Sequence, residues 1–127
     1  GEARDQLAHS CDWLPTLAEL CEVPLPDRTL DGLSLVKVLA DGSASSPHDG
    51  KSLHWQVGEG PKADWAVREG DWKLIGRSRD PSDGESKEVL ENFLVNLAAD
   101  PAETTNRASE NPEVLERLKR LHETHLE

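Results

Sequence analysis

The apolar positions of this chain change period twice. Over residues 10–26, SCDWLPTLAELCEVPLP, apolar side chains at Leu14, Leu17, Ala18 and Cys21 recur at i, i+3, i+4 and i+7. That spacing predicts a helix with these four on one face. Asp12 or Ser10 is placed to accept a hydrogen bond from its first turn. Pro15 is tolerated there because its missing donor would have no partner anyway. Pro24 and Pro26 end the segment. A second, short helix is expected over 33–40, entered at the Asp31-Gly32 turn and stopped by Asp41-Gly42. Residues 1–9 show no period and should fray, and the polar run 43–51 reads as an exposed, mobile loop.

Alternation then replaces helical spacing. Residues 52–57, SLHWQV, put Leu53, Trp55 and Val57 on one face of a strand. Residues 64–69 and 72–76 pair across Gly70-Asp71, and a Gly at the first central position suits a type II′ turn. Residues 77–88 form another polar loop, 89–97 a fourth strand and 96–105 a polar turn. The helical period returns at the end. Asn111 caps, Pro112 takes the first position, and Glu113 faces the positive end of the dipole. Val114, Leu118, Leu121 and His125 form a stripe with Leu115 beside it. Helix, helix, strands, helix predicts one α+β domain over 1–127: a small antiparallel sheet of about four strands with a packed C-terminal helix and N-terminal helices.

Composition narrows the partners. A net charge of −11 over 127 residues is wrong for neutralising nucleic-acid phosphates or anionic lipid. No run reaches the ~18 apolar residues of a membrane span. With 35% hydrophobic residues and no Met, the chain is expected to be a piece of a longer protein. Cys11 and Cys21 would lie about 15 Å apart along a helix. A disulfide needs Cα atoms within about 7 Å, so two free, mostly buried thiols are expected.

Few residues suggest chemistry. His122 and His125 sit three apart on the last helix, but two ligands without a third make a poor metal site, so a solvated helix end is expected. DPSDGE, residues 80–85, lacks the ligand spacing of a calcium loop. Ser43, Ser45 and Ser46 have no supporting base. Arg68 and Lys73 are more informative. Across the Gly70-Asp71 turn they stand opposite each other on one face, where like charges repel. A carboxylate between them, or an anion nearby, would relieve this, and a register slip of one residue would remove it. Arg68, Lys73 and His54 are therefore the candidate anion- or cleft-facing residues. The alternative is that they are solvated or salt-bridged strand residues.

Taken in order, the motifs resemble a family. Asp12, Pro15, Thr16 and Leu17 match a D-x-x-P-T-L segment. Leu30, Asp31, Gly32, Ser34 and Leu35 match L-D-G-x-S-L. Ala66, Val67, Arg68, Gly70, Lys73 and Leu74 match A-V-R-x-G-x-x-K-L. Asn96, Leu97, Asp100, Pro101, Glu103 and Asn106 match most of a final N-L-x-x-D-P-x-E-x-x-N stretch. Together they resemble the C-terminal region of sulfatases, of the arylsulfatase family and alkaline-phosphatase-like superfamily. Departures occur at Glu22, Phe93-Leu94-Val95 and Arg107. Glu22 replaces a Gly that ends the first helix. A left-handed Glu would cost about 1 kcal/mol, so a different cap is expected.

The resemblance implies a sulfuric ester hydrolase as parent, with calcium and a formylglycine made from C/S-x-P-x-R. Neither cysteine here has that context, so no catalytic or metal residue is expected in this chain. The implied partner is the missing N-terminal sulfatase domain, and through it a sulfate ester. A periplasmic or extracellular parent follows, as does a homodimer of the isolated piece through an exposed apolar face. The alternatives are a free-standing acidic interaction module, or the equivalent subdomain of a related phosphatase or phosphodiesterase.

Overall fold

The computed structural model describes residues 1–60, 63–79 and 89–126, which fall into two units, Gly1–Asp49 and Gly50–Glu127. In the first, a 3₁₀ turn, Ser10–Asp12, leads into α1, Trp13–Leu20, and α2 follows at Val36–Ala40. Glu22 ends α1 with φ 55°. Val23 N–H then reaches the Ala18 carbonyl at 2.9 Å and Glu22 N–H the Glu19 carbonyl at 3.2 Å. This is the double closure usually made by a left-handed Gly. The expected change of cap does not occur, and Glu22 takes the strain.

Asp12 does not cap α1 with its side chain. Its buried carboxylate accepts from the backbone N–H of His9 at 2.7 Å and of Leu33 at 2.8 Å, and pairs with His48 Nε2 at 2.7 Å. Thr16 Oγ1 donates to the Asp12 carbonyl at 2.6 Å and accepts from Leu35 N–H at 2.9 Å. The inward side of α1 buries Pro15 and Thr16, and Thr16 with the preceding Asp12 holds the 33–35 segment through hydrogen bonds. Gly32 is required by crowding, since a Cβ there would lie 2.1 Å from the Cys11 carbonyl oxygen.

The apolar stripe of α1 points outward as a consequence. Trp13 is 57% exposed, Leu17 52% and Leu20 57%, and Leu14, Val23 and Leu25 are exposed as well. Both cysteines are free, as expected, but Cys11 is half-buried and Cys21 exposed, because Cys21 shares the outward side. The loop 43–51 also differs from expectation. Ser46 and His48 are buried, with His48 drawn in by Asp12 and the Ser46 hydroxyl donating to the Leu7 carbonyl. Arg4 donates to the Val38 carbonyl at 3.2 Å, and Gln6 to the Gly42 carbonyl at 2.7 Å.

The second unit contains β1 Ser52–Val57, β2 Asp64–Glu69, β3 Trp72–Gly76, β4 Ser78–Arg79, β5 Val89–Leu90, β6 Phe93–Asn96 and α3 Pro112–His125. β1, β2, β3 and β6 form an antiparallel sheet in that order. The fold is α+β, as the order of periods indicated. The hairpin keeps its expected register, Arg68 opposite Lys73 and Glu69 opposite Trp72. Gly70 has φ 58° and Asp71 a negative φ, as a II′ turn requires. The expected strand over 89–97 is two elements. β5 pairs with β4 in a separate small ladder, and only β6 joins the main sheet.

One row of partners runs across the sheet through His54, Val67, Leu74 and Leu94. The last three are fully buried and, with Leu118 of α3, form the core of this unit. Burial of such side chains stabilises by roughly 1.5–3 kcal/mol each. Trp65, Trp72, Val114, Leu115 and Leu121 pack around them. Leu53, Trp55 and Val57 therefore share the face turned away from α3. Asn111 precedes α3 but does not cap it; its amide donates to the Arg107 carbonyl at 3.1 Å. Among the described residues, no helix is long and apolar enough to cross a membrane.

Candidate functional site

Arg68 and Lys73 lie side by side on the sheet face away from α3. Glu103 supplies the carboxylate that their proximity calls for. Lys73 Nζ donates to its two oxygens at 2.7 and 2.8 Å. Arg68 Nε turns to the Gly70 carbonyl at 2.9 Å. The turn that presents Glu103 is built by Asp100, whose carboxylate accepts from the N–H groups of Thr104 and Thr105, each at 2.8 Å. Burial raises the Asp100 carboxyl, but these bonds outweigh it and hold it below the ordinary range. Glu103 itself sits at φ 56°. Asn106 then pins β6, accepting from Leu94 N–H at 3.1 Å and donating to the Asn92 carbonyl at 2.9 Å. The D-P-x-E-x-x-N motif is thus a clamp on β3 and β6.

His54 is not brought to Arg68 and Lys73. Its Cα partner is Val67, so it faces α3 from the other side of the sheet. There His54 Nε2 lies 3.3 Å from His122 Nδ1. The His54 and His125 rings stack at 4.0 Å, and His122 stacks on Trp65 at 3.7 Å. Burial first, then the facing His125 and His122, push His54 down to about 4. Burial and His125 lower His122 as well, with Glu123 opposing. The expectation of a solvated helix end fails for His122, which is half-buried against Trp65. The signal for this cluster was positional: His54 shares strand parity with the core, and His122 and His125 share a side of α3.

The Asp12–His48 pair in the first unit was likewise unforeseen. Both side chains are buried, and the carboxylate has three donors. Burial raises the Asp12 carboxyl, but the N–H groups of Leu33 and His9, and His48, more than compensate and lower it. A carboxylate so fully occupied is a structural anchor. Nearby, a groove of about 520 Å³ runs between α1 and the 28–32 segment, lined by Cys11, Trp13, Leu14, Arg28 and Leu30. Among the described residues, no group of three or more His, Cys, Asp or Glu could hold a metal ion. The run 80–85 lies outside the described residues.

The fold is shared with solved structures. A protein solved with its substrate D-glucosamine-2-N,6-O-disulfate superposes with a TM-score of 0.62 at 25% identity, over 90% of this chain and 23% of that one. Ps i-CgsB in complex with k-i-k-neocarrahexaose gives 0.65 at 20% identity, over 89% and 23%. The phosphonate monoester hydrolase of Agrobacterium radiobacter gives 0.56 at 21% identity, over 94% and 24%. The last two are alike in fold alone. The fold is therefore one that recurs as about a quarter of larger solved proteins.

In sequence the chain is similar to arylsulfatase A of Homo sapiens, with 33% identity over 91% of this chain and 26% of that protein. Arylsulfatase A of Bos taurus is 30% identical over the same shares. No family model matches. The chain is thus similar in sequence to a part of arylsulfatase A. It spans about a quarter of the length of the curated relatives it matches.

Proposed function

We propose that this chain is the C-terminal subdomain of a sulfuric ester hydrolase, a scaffold that supports the catalytic domain and borders its substrate cleft without chemistry of its own. The observation that carries this is the outward apolar stripe of α1. Trp13, Leu17 and Leu20 are each more than half exposed on a helix whose buried residues are Pro15 and Thr16. An unpartnered apolar surface of this kind marks an interface. The relatives are about four times as long, so the remaining sulfatase chain is the partner that covers it.

On this reading the parent's calcium and formylglycine lie in the other domain. The parent acts on a sulfate ester, with sugar sulfates the favoured class, in the periplasm or outside the cell. Arg68 borders the cleft rather than reacting, and Lys73 is committed to Glu103. The isolated chain should not hydrolyse an aryl sulfate, with or without calcium; turnover by it would overturn the reading. Upstream coding sequence gives a second check. A C/S-x-P-x-R motif supports a sulfatase parent, whereas a Ser or Thr outside that context points to a phosphatase or phosphodiesterase.

A further inference from the structure

Four rings from three elements stack in one column at the C-terminal end of α3. In order they are Trp65 of β2, His122 of α3, His54 of β1 and His125 of α3. The separations are 3.7 Å for Trp65–His122, 5.4 Å for His122–His54 and 4.0 Å for His54–His125. The column joins the end of α3 to the sheet, beyond Leu118 of the apolar core. Among the described residues its polar contact is His54 Nε2 to His122 Nδ1 at 3.3 Å. That bond needs one ring nitrogen to accept, so at least one imidazole must be neutral. Protonating both would set two N–H groups and two positive charges against each other.

Among the described residues, the surroundings do not offset such charge. Arg77 and Lys119 share a hollow with His122, as do Glu91 and Glu123, two cations against two carboxylates. On β2, Glu69 is already paired with Arg117 of α3 at 2.9 Å, and Asp64 faces Arg77 at 3.9 Å. β1 contributes only the uncharged Ser52 and Gln56 beside His54. A single proton on His122 is tolerated, because the Trp65 face and Glu123 both favour it. A second has no such support.

We propose that the His54–His122–His125 column is a pH-sensitive latch, which holds the C-terminal half of α3 on the sheet while neutral and releases it once two of its rings are protonated. The lowered values of His54 and His122 agree with this. Their sign fixes the window. The released rings titrate near 6.5 and the latched His54 near about 4, so the released state takes up protons first. Holding is complete above about pH 6.5, weakens as pH falls towards 4, and changes no further below that.

Amide hydrogen exchange of the whole 127-residue chain, corrected for intrinsic chemistry, tests this. Opening of residues 119–125 should increase on the order of tenfold between about pH 7 and about pH 5, while the β2–β3 hairpin stays constant. His54→Phe keeps a ring in the column and cannot be protonated, so it should cut the increase to about twofold or less. Equal protection at both pH values, or an undiminished increase in His54→Phe, would overturn the latch. Should that variant fail to fold, an NMR titration of the wild-type imidazoles decides. At least two rings below the ordinary histidine value support the proposal, and three ordinary values defeat it.

Discussion

Glu103 grips Lys73 with both carboxylate oxygens, at 2.7 and 2.8 Å, from a backbone conformation that favours glycine. Two costs meet here. The left-handed φ strains Glu103 by about 1 kcal/mol, and Lys73 is held beside Arg68. The charge-assisted pair, with both side chains partly buried, outweighs them. Glu103→Gln should destabilise the second unit by about 1–2 kcal/mol in urea unfolding, and part of that difference should vanish in high salt. Glu103→Gly relieves the strain but loses the pair, and should fall between wild type and Glu103→Gln. A Gly variant as stable as wild type, or more so, would show that the pair does not outweigh the strain.

Glu22 gives the complementary case, strain with no bond to offset it. Its φ of 55° closes the end of α1 through backbone bonds, in which its exposed side chain takes no part. Glu22→Gly should therefore stabilise the chain by up to about 1 kcal/mol, the relieved strain being partly offset by the looser unfolded chain. Thermal unfolding measures this directly. A lower midpoint for the Gly variant would contradict the strain argument.

Asp12 carries the opposite expectation. Removing its charge strands the N–H groups of His9 and Leu33 and leaves His48 buried without its partner. Asp12→Ala should cost about 3–5 kcal/mol, as broken buried pairs do. It should also speed amide exchange at Leu33 and Leu35 before any other site. The acid limb follows from the lowered carboxyl. The folded value lies below the unfolded one, so the stabilisation is complete above the unfolded value and is lost as pH falls through the folded value. Acid titration of the Leu33 amide reads this limb, and the milder Asp12→Asn should flatten it.

How far these features could be read in advance depended on how local their causes are. The hairpin register was legible because alternation and one glycine fix it within a dozen residues. The sulfatase motifs were legible as a pattern, but their purpose was not. Asp100, Glu103 and Asn106 act on β3 and β6 through loop geometry that has no period. Asp12 looked like a helix cap because its partners at 33 and 48 are distant in sequence. His54 was one histidine among five, and only the pairing of β1 with β2 turns it toward α3. The strand expected over 89–97 broke in two, since apolar content alone does not show which ladder each half joins.

The stripe on α1 shows the same limit and leads to the most decisive test of the scaffold reading. Periodicity identified Leu14, Leu17 and Cys21 as sharing a side, but could not show that this side stands exposed among the described residues. Since Leu17 and Leu20 are exposed here, Leu17→Glu with Leu20→Ser should change the stability of the isolated chain by no more than about 0.5 kcal/mol. The same pair in the full-length parent should cost several times as much, on the order of 3 kcal/mol, because a carboxylate would be trapped in an apolar contact. Unfolding both proteins in urea, with and without the substitutions, separates the outcomes. Equal small effects in both contexts would mean that the stripe meets no partner in the parent and that the helix faces solvent by design.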